Sequence, residues 1–374
     1  MNGDMTRRRL LSGGLKAAGY FVLTVVVGGL LAADRLQAAA QQPDLLYVCV
    51  QDDAKVAVVD MGTRKVLRTI DFQKLGFTAT AKPHYIVVEP DGSYWYVSLI
   101  GANRVLKMDR TDKIAGQYEM ETPGMLALSG TKQLVATRSM SAVNPPKRIA
   151  IIDRTAMKGE EVEVLFARPH PMAATSTYAY TGSLGVNQIA SISLADQKVN
   201  VAAVPNPDGG GTHSLVQFTV SRDGKRMLAT GDVSGQLLMF DLSTPGAPKA
   251  IGMLQVGKMA FDPAFTPDEK FVWVPIKSSN EVVVVDAAAW KEVARIKDAK
   301  LQQPQQVAFS ADGAWAFVTN NNKMDHMADP AMAGHAMPAS DGMASLVVIN
   351  TKTLKVEQAI PLGKNLTGMG RAQK

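Results

Sequence analysis

The stretch Ile86-Val87-Val88-Glu89-Pro90-Asp91-Gly92, continued by Ser93-Tyr94-Trp95-Tyr96-Val97, decides the fold. It reads as an apolar strand, a turn and an aromatic strand, and Asp-Gly supplies the positive φ that a tight hairpin requires. Val307-Ala308-Phe309-Ser310-Ala311-Asp312-Gly313 repeats its first half near the other end of the chain. The short aromatic or apolar strand recurs at Leu46-Tyr47-Val48, Trp95-Tyr96-Val97, Leu134-Val135-Ala136, Ala179-Tyr180-Thr181, Met227-Leu228-Ala229, Val272-Trp273-Val274 and Ala316-Phe317-Val318. Between middle residues the spacings are 49, 39, 45, 48, 45 and 44, so seven units share one period.

A second strand follows each of these and usually ends in an acid: Val56 to Asp60, Val105 to Asp109, Ile149 to Asp153, Ile189 to Ser193, Leu237 to Asp241, Val282 to Asp286 and Leu346 to Asn350. Most are followed by a polar turn and another apolar strand, as in Thr63-Arg64-Lys65-Val66-Leu67. Each unit therefore holds four antiparallel strands. No long amphipathic helical pattern appears after Ala40, and a four-strand period near 45 fits a propeller better than a solenoid. The expected fold is all-β, a seven-bladed β-propeller over about residues 44–370. The chain enters at the second strand of a unit, and the tail Pro361-Leu362-Gly363-Lys364-Asn365-Leu366-Thr367-Gly368-Met369-Gly370 looks like a first strand. That tail is predicted to complete the first blade and close the ring.

With these repeats the chain resembles the YVTN-repeat β-propellers and, more distantly, the propeller domains of nitrous oxide reductase and of haem d-type nitrite reductase. The resemblance speaks for the fold, since propellers host unrelated activities.

The first forty residues are of another kind. Thr6-Arg7-Arg8-Arg9-Leu10-Leu11 leads into an apolar run from Tyr20 to Ala33 that ends at Ala38-Ala39-Ala40, the pattern of a secretory signal with a small-residue cleavage site. The arginine pair followed by two leucines resembles a twin-arginine signal; a Sec-type signal is the alternative. The run is shorter than the roughly 20 residues of a membrane span, so a periplasmic protein, not held in the membrane once residues 1–40 are removed, is expected. That segment holds five bases and two acids, so +3 of the formal +6 leaves with it. With no run of Lys or Arg, nothing supports nucleic-acid binding. The single cysteine, Cys49, cannot form an internal disulfide and reads as a small buried hydrophobe, and the lack of any CxxCH excludes covalent haem.

Familiar catalytic motifs are absent: no GxxxxGK[ST], no Rossmann GxGxxG after a strand, no HExxH and no GxSxG. Gly209-Gly210-Gly211 opens no helix and reads as a loop, and Glu160-Glu161 and Asp52-Asp53 read as solvated acids.

All five histidines follow residue 40. In a propeller the first strand of each blade lines the channel, so position in the repeat gives position in space. Counting back seven residues from the turn aspartate gives His84 and Gln305, and aligning the apolar strand puts His170 and Gly124 at the equivalent point. His213 lies a few residues earlier in its blade and Asp262 one residue later in the next. His84, His170 and His213 are expected to converge on one mouth, where neutral imidazoles suit copper or zinc. The resemblance sharpens this, because nitrous oxide reductase holds its catalytic copper with histidines at the channel of its propeller. This chain has too few channel histidines for a tetranuclear cluster and no cupredoxin domain, so nitrous oxide reduction is not expected. The alternatives are histidines that cap strand starts or bind a small anion.

Between Asn320-Asn321-Asn322 and Leu346 the last blade carries an insertion, 323–343, with Met324, His326, Met327, Met332, His335, Met337 and Met343 among small or polar residues. Thioethers select Cu(I) and imidazole also suits Cu(II), so the segment points to copper or silver handling in an oxidising compartment. The alternative is a surface loop whose methionines pack loosely against the blade.

Three functions follow. The first is a monomeric periplasmic copper-binding propeller that stores, buffers or delivers the ion, with a periplasmic redox or copper-handling protein as partner. The second is an oxidoreductase with a metal at His84, His170 and His213. The third is a metal-free interaction scaffold. No feature names a substrate or an acid–base pair.

Overall fold

The quoted stretch becomes two antiparallel strands, β4 (Pro83–Val88) and β5 (Tyr94–Leu99), joined by a turn in which Glu89 N–H donates to Tyr94 O (2.9 Å) and Gly92 takes φ +66°. Two more strands, β6 (Arg104–Asp109) and β7 (Ile114–Glu119), complete a four-stranded sheet in the order β4-β5-β6-β7. The computed structural model describes residues 44–138, 147–322 and 342–372. Within them the pattern repeats as seven four-stranded antiparallel sheets, a seven-bladed β-propeller. The signal expected over residues 1–40 lies outside the described residues. So do residues 323–341, which hold every Met and His of the insertion except Met343. No helix among the described residues is long and apolar enough to cross a membrane.

Ring closure follows the expected route. Blade 1 is built of β28 (Leu366–Arg371), β1 (Leu45–Val50), β2 (Lys55–Asp60) and β3 (Lys65–Asp71) in that order, with β28 innermost and paired with β1 through Leu46↔Arg371, Tyr47↔Gly370, Val48↔Met369 and Val50↔Leu366. Blades 2 to 7 then follow in chain order.

Burial explains the sequence pattern. The second and third strands of each blade are sandwiched between two neighbouring blades, so they read as unbroken apolar or β-branched runs such as Tyr94–Leu99 and Glu281–Asp286. The outer strands are half exposed, as in Ile114–Glu119. The core is a set of seams: Tyr47, Cys49, Trp95 and Val97 pack between blades 1 and 2, and Leu46, Val48, Phe317 and Leu346 between blades 7 and 1.

The acids that end the third strands have a local task. Oδ1 of Asp60, Asp109, Asp153, Asp241 and Asp286 accepts backbone N–H groups two or three residues on, and Asn350 does the same in blade 7. These are Asx turns that start the outer hairpin.

A further device precedes every inner strand. Lys82, Thr122, Arg168, Ser214, Met259, Gln303 and Asn365 all adopt positive φ, between +41° and +58°, although none is glycine. Each is followed by a residue paired with the second strand, then by a bulge, seen between Pro83 and Tyr85, Pro169 and Met172, and Pro304 and Val307. A hydroxyl on the second strand caps the bulge in several blades: Ser98 Oγ accepts from Tyr85 N–H, Thr137 Oγ1 from Met125 N–H and Thr319 Oγ1 from Gln306 N–H. Cys49 holds this place in blade 1, beside Thr367, with burial raising its thiol pKa. Bulges re-aim side chains, and the residues just past them in blades 2 and 5, Tyr85 and Gln217, meet across the ring.

Candidate functional site

Counted from the left-handed residue, the second position of the inner strand carries His84, Gly124, His170, Val216, Phe261, Gln305 and Thr367 in blades 2 to 7 and then 1. His84 and His170 thus occupy equivalent places in blades 2 and 4, on either side of Gly124. His84 Nδ1 lies 2.7 Å from Gln51 Oε1 and His170 Nδ1 lies 2.8 Å from Val216 O. Both partners are pure acceptors, so Nδ1 carries the hydrogen in each ring. In His170, which burial keeps neutral, that tautomer leaves the lone pair on Nε2, the arrangement that second-shell acceptors impose on metal-binding histidines.

His213 does not join them. It precedes the left-handed Ser214, is fully buried, and uses both nitrogens: Nδ1 with Ser234 Oγ (3.0 Å) and Nε2 with Pro205 O (2.7 Å). With Pro205 O accepting from Nε2–H, Ser234 Oγ–H occupies the remaining lone pair. The ring ties the 204–212 loop to the turn of blade 5, a structural task. Among the described residues no three of His, Cys, Asp and Glu could together hold a metal ion, so His84, His170 and His213 are not brought together there: His213 is committed to Ser234 and Pro205, and His84 and His170 hold equivalent strand positions.

Around that pair runs a polar belt from the neighbouring turns. Lys277, buried in blade 6, donates to Gln305 Oε1 (2.9 Å) and lies 3.7 Å from the centroid of Phe261. It also reaches Asn321 Oδ1 (3.4 Å), while Asn321 Nδ2 donates to Asn365 Oδ1 and to Leu366 O (3.2 Å). Sequence reading missed Lys277 and Asn321 because they sit in the turns between second and third strands, which no inner-strand alignment reaches.

Those turns open at the same mouth, since the end of the second strand pairs with the start of the first, as in Pro304↔Asn320. In five blades the turn spans four residues, at 51–54, 100–103, 184–187, 232–235 and 277–280, whereas in blade 7 it runs from 321 to 343. Its described flanks are joined there by Asn322 Nδ2 donating to Met343 O, and Met343 is half exposed.

Titration along the channel has two opposed parts. Burial holds the His170 imidazole neutral, its pKa lowered from 6.5 to about 4. The unfolded chain takes up that proton first, so this group withdraws stability as pH falls from 6.5 to about 4. Burial pushes the Asp262 carboxyl up from 3.8 to about 7, against the pull of Lys277. Between those values the folded state keeps a proton that the unfolded state has lost, so this group withdraws stability as pH rises. Replacing His170 with Gln removes the first slope. On going from pH 6.5 to 4.5, metal-free His170→Gln is expected to gain about 2 kcal/mol relative to the parent, read from urea midpoints. An unchanged difference would contradict a buried neutral imidazole.

No protein-family model matches the chain, and no curated protein matches it. Solved structures do. A functionally unknown protein from Desulfotomaculum acetoxidans superposes with a TM-score of 0.67 at 12% identity, covering 88% of this chain and 99% of that one. Hydrazine synthase from Kuenenia stuttgartiensis gives 0.58 at 16% identity, covering 76% and 88%. The dihydro-haem d1 dehydrogenase NirN, solved in complex with DHE, gives 0.52 at 13% identity, covering 87% and 74%. The chain is similar to all three in fold, and at these identities fold is what the similarity carries. The last of them bears out a propeller of the haem d type as a distant relative in shape.

Proposed function

We propose that the protein is an exported propeller that binds copper at one mouth of its channel, with the Met/His segment 323–343 as the capturing arm and His84 and His170 as a second pair of ligands. One observation carries this reading: the segment interrupts the turn of blade 7 at the mouth that also bears the two Nδ1-tethered imidazoles. Five methionines and two histidines supply the soft and borderline donors that Cu(I) and Cu(II) prefer. Such a site stores or passes on an ion; it contains no acid–base pair that would define a reaction. The neighbours named for redox enzymes contribute their fold alone, so no activity is transferred from them.

Copper content of protein isolated from the periplasm tests the reading. The parent is expected to retain copper, and replacing the methionines and histidines of 323–343 with Leu and Gln is expected to abolish retention. His84→Gln/His170→Gln is expected to keep Cu(I) on the segment while weakening Cu(II), which favours imidazole. A parent that retains and takes up no copper would leave the interaction scaffold in its place.

A further inference from the structure

The channel below the histidine level carries a second constellation. The third positions of the inner strands include Tyr85 in blade 2, Gln217 in blade 5, Asp262 in blade 6 and Gln306 in blade 7. Gln217 Nε2 donates to the Tyr85 hydroxyl at 2.6 Å. Blades 2 and 5 are not neighbours in a ring of seven, so this bond crosses the channel. Gln306 also meets the Tyr85 hydroxyl, and Asp262 is the charge that weighs most on it. Gln306 is itself clamped to the Met369 backbone, Oε1 accepting from N–H at 2.5 Å and Nε2 donating to O at 3.3 Å.

Two acceptors in this cluster have no donor. Gln217 Oε1 and Asp262 Oδ2 are both buried without a hydrogen-bond partner, in side chains only 2% and 4% exposed. Bare buried acceptors are costly, and a bare buried carboxylate most of all. Blade 6 puts Asp262 there deliberately: its inner strand β20 (Ala264–Phe265) is cut to two residues, and Asp262 N–H instead bonds Gln305 O (3.0 Å) of blade 7. A carboxyl oxygen and an amide oxygen, both buried without a donor and grouped with a hydroxyl, form a partial shell for a hard cation, which binds oxygen and would hold the carboxyl ionised.

We propose that the channel axis holds an oxygen-seeking cation of the calcium or sodium class between Asp262 and Gln217, pinning blades 5 and 6 to the Tyr85 cross-bar. The site is independent of copper, which the soft and imidazole donors of the mouth would take.

The test uses the mature protein stripped with a chelator and melted in choline chloride, CaCl2 or NaCl at equal ionic strength. Millimolar Ca2+ or Na+ is expected to raise the melting temperature by about 3 °C or more, the size of effect that a ligand well above its dissociation constant produces. Asp262→Asn is expected to fold and lose the response, and Gln217→Glu to shift the midpoint of the Ca2+ response at least tenfold lower. Replacing the Met/His segment is expected to leave the response intact. A parent indifferent to both cations, or an Asp262→Asn protein that still responds, would overturn the site; indifference together with a more stable Asp262→Asn would show a protonated carboxyl or a turned Gln217 amide filling the gap.

Discussion

A chain that stops at Leu362 is expected to lose its cooperative thermal transition. The missing strand β28 is the inner strand of blade 1, and its removal opens the seams on both sides of that blade. Leu366 and Met369 are buried among Leu46, Val48, Val50, Phe317 and Leu346, so truncation exposes apolar surface of blade 7 as well as blade 1. On the other side Gly368 and Gly370 bring the strand against blade 2 so closely that a Cβ would lie 2.5 Å from His84 O and 2.6 Å from the Ile86 side chain. Each buried large side chain contributes about 1.5–3 kcal/mol and each ladder hydrogen bond about 1 kcal/mol. Together these rival the whole stability of a domain, about 5–15 kcal/mol. A truncated protein that melts with the parent would mean that the ring does not depend on its closing strand.

Glu89→Ala carries the second large effect, about 3–5 kcal/mol, because it strands a buried guanidinium. Glu89 belongs to the turn that reveals the fold, yet its carboxylate works across a seam. Oε2 lies 2.5 Å from Arg154 Nη1 of blade 3, and Oε1 accepts from the Tyr96 hydroxyl at 2.9 Å. Arg154 is 3% exposed and its Nη2 donates to Gly130 O (2.7 Å), so the guanidinium stays buried when its counter-charge is removed. The melting temperature is expected to fall by roughly 10 °C, using about 2–4 °C per kcal/mol for a large domain. Glu89→Leu/Arg154→Met, which removes both charges, is expected to recover much of that loss. Equal melting temperatures for Glu89→Ala and the parent would contradict a working clasp.

The fold was legible because a blade is local: hairpins such as Ile86–Val97 form from adjacent residues, and every sandwiched strand must be apolar on both faces. The strand-ending acids were visible as a pattern, and the structure supplies their cause in the Asx turns. The left-handed residues before the inner strands were not visible, since Lys82, Met259 and Gln303 carry none of the usual glycine or asparagine signature. That concealed the level of each channel residue. The count of seven back from Asp91 finds His84, and the same count from Asp223 lands on Val216, which is why His213 falls outside the ring. The Tyr85–Gln217 cross-bar stayed hidden for another reason: it is a contact between blades 2 and 5, distant in the ring, which no repeat alignment encodes. The Met/His segment was read from composition alone, and the proposed function rests on that reading.

Titration of the purified, metal-free protein with Cu(I), in competition with a chromogenic chelator under anaerobic conditions, tests the central proposal most directly. The parent is expected to withdraw at least one equivalent of Cu(I) from the chelator, and a protein with 323–343 replaced by a four-residue turn is expected to fold and withdraw none. A parent that leaves the chelator fully loaded, or a loop-less protein that competes equally well, would contradict it.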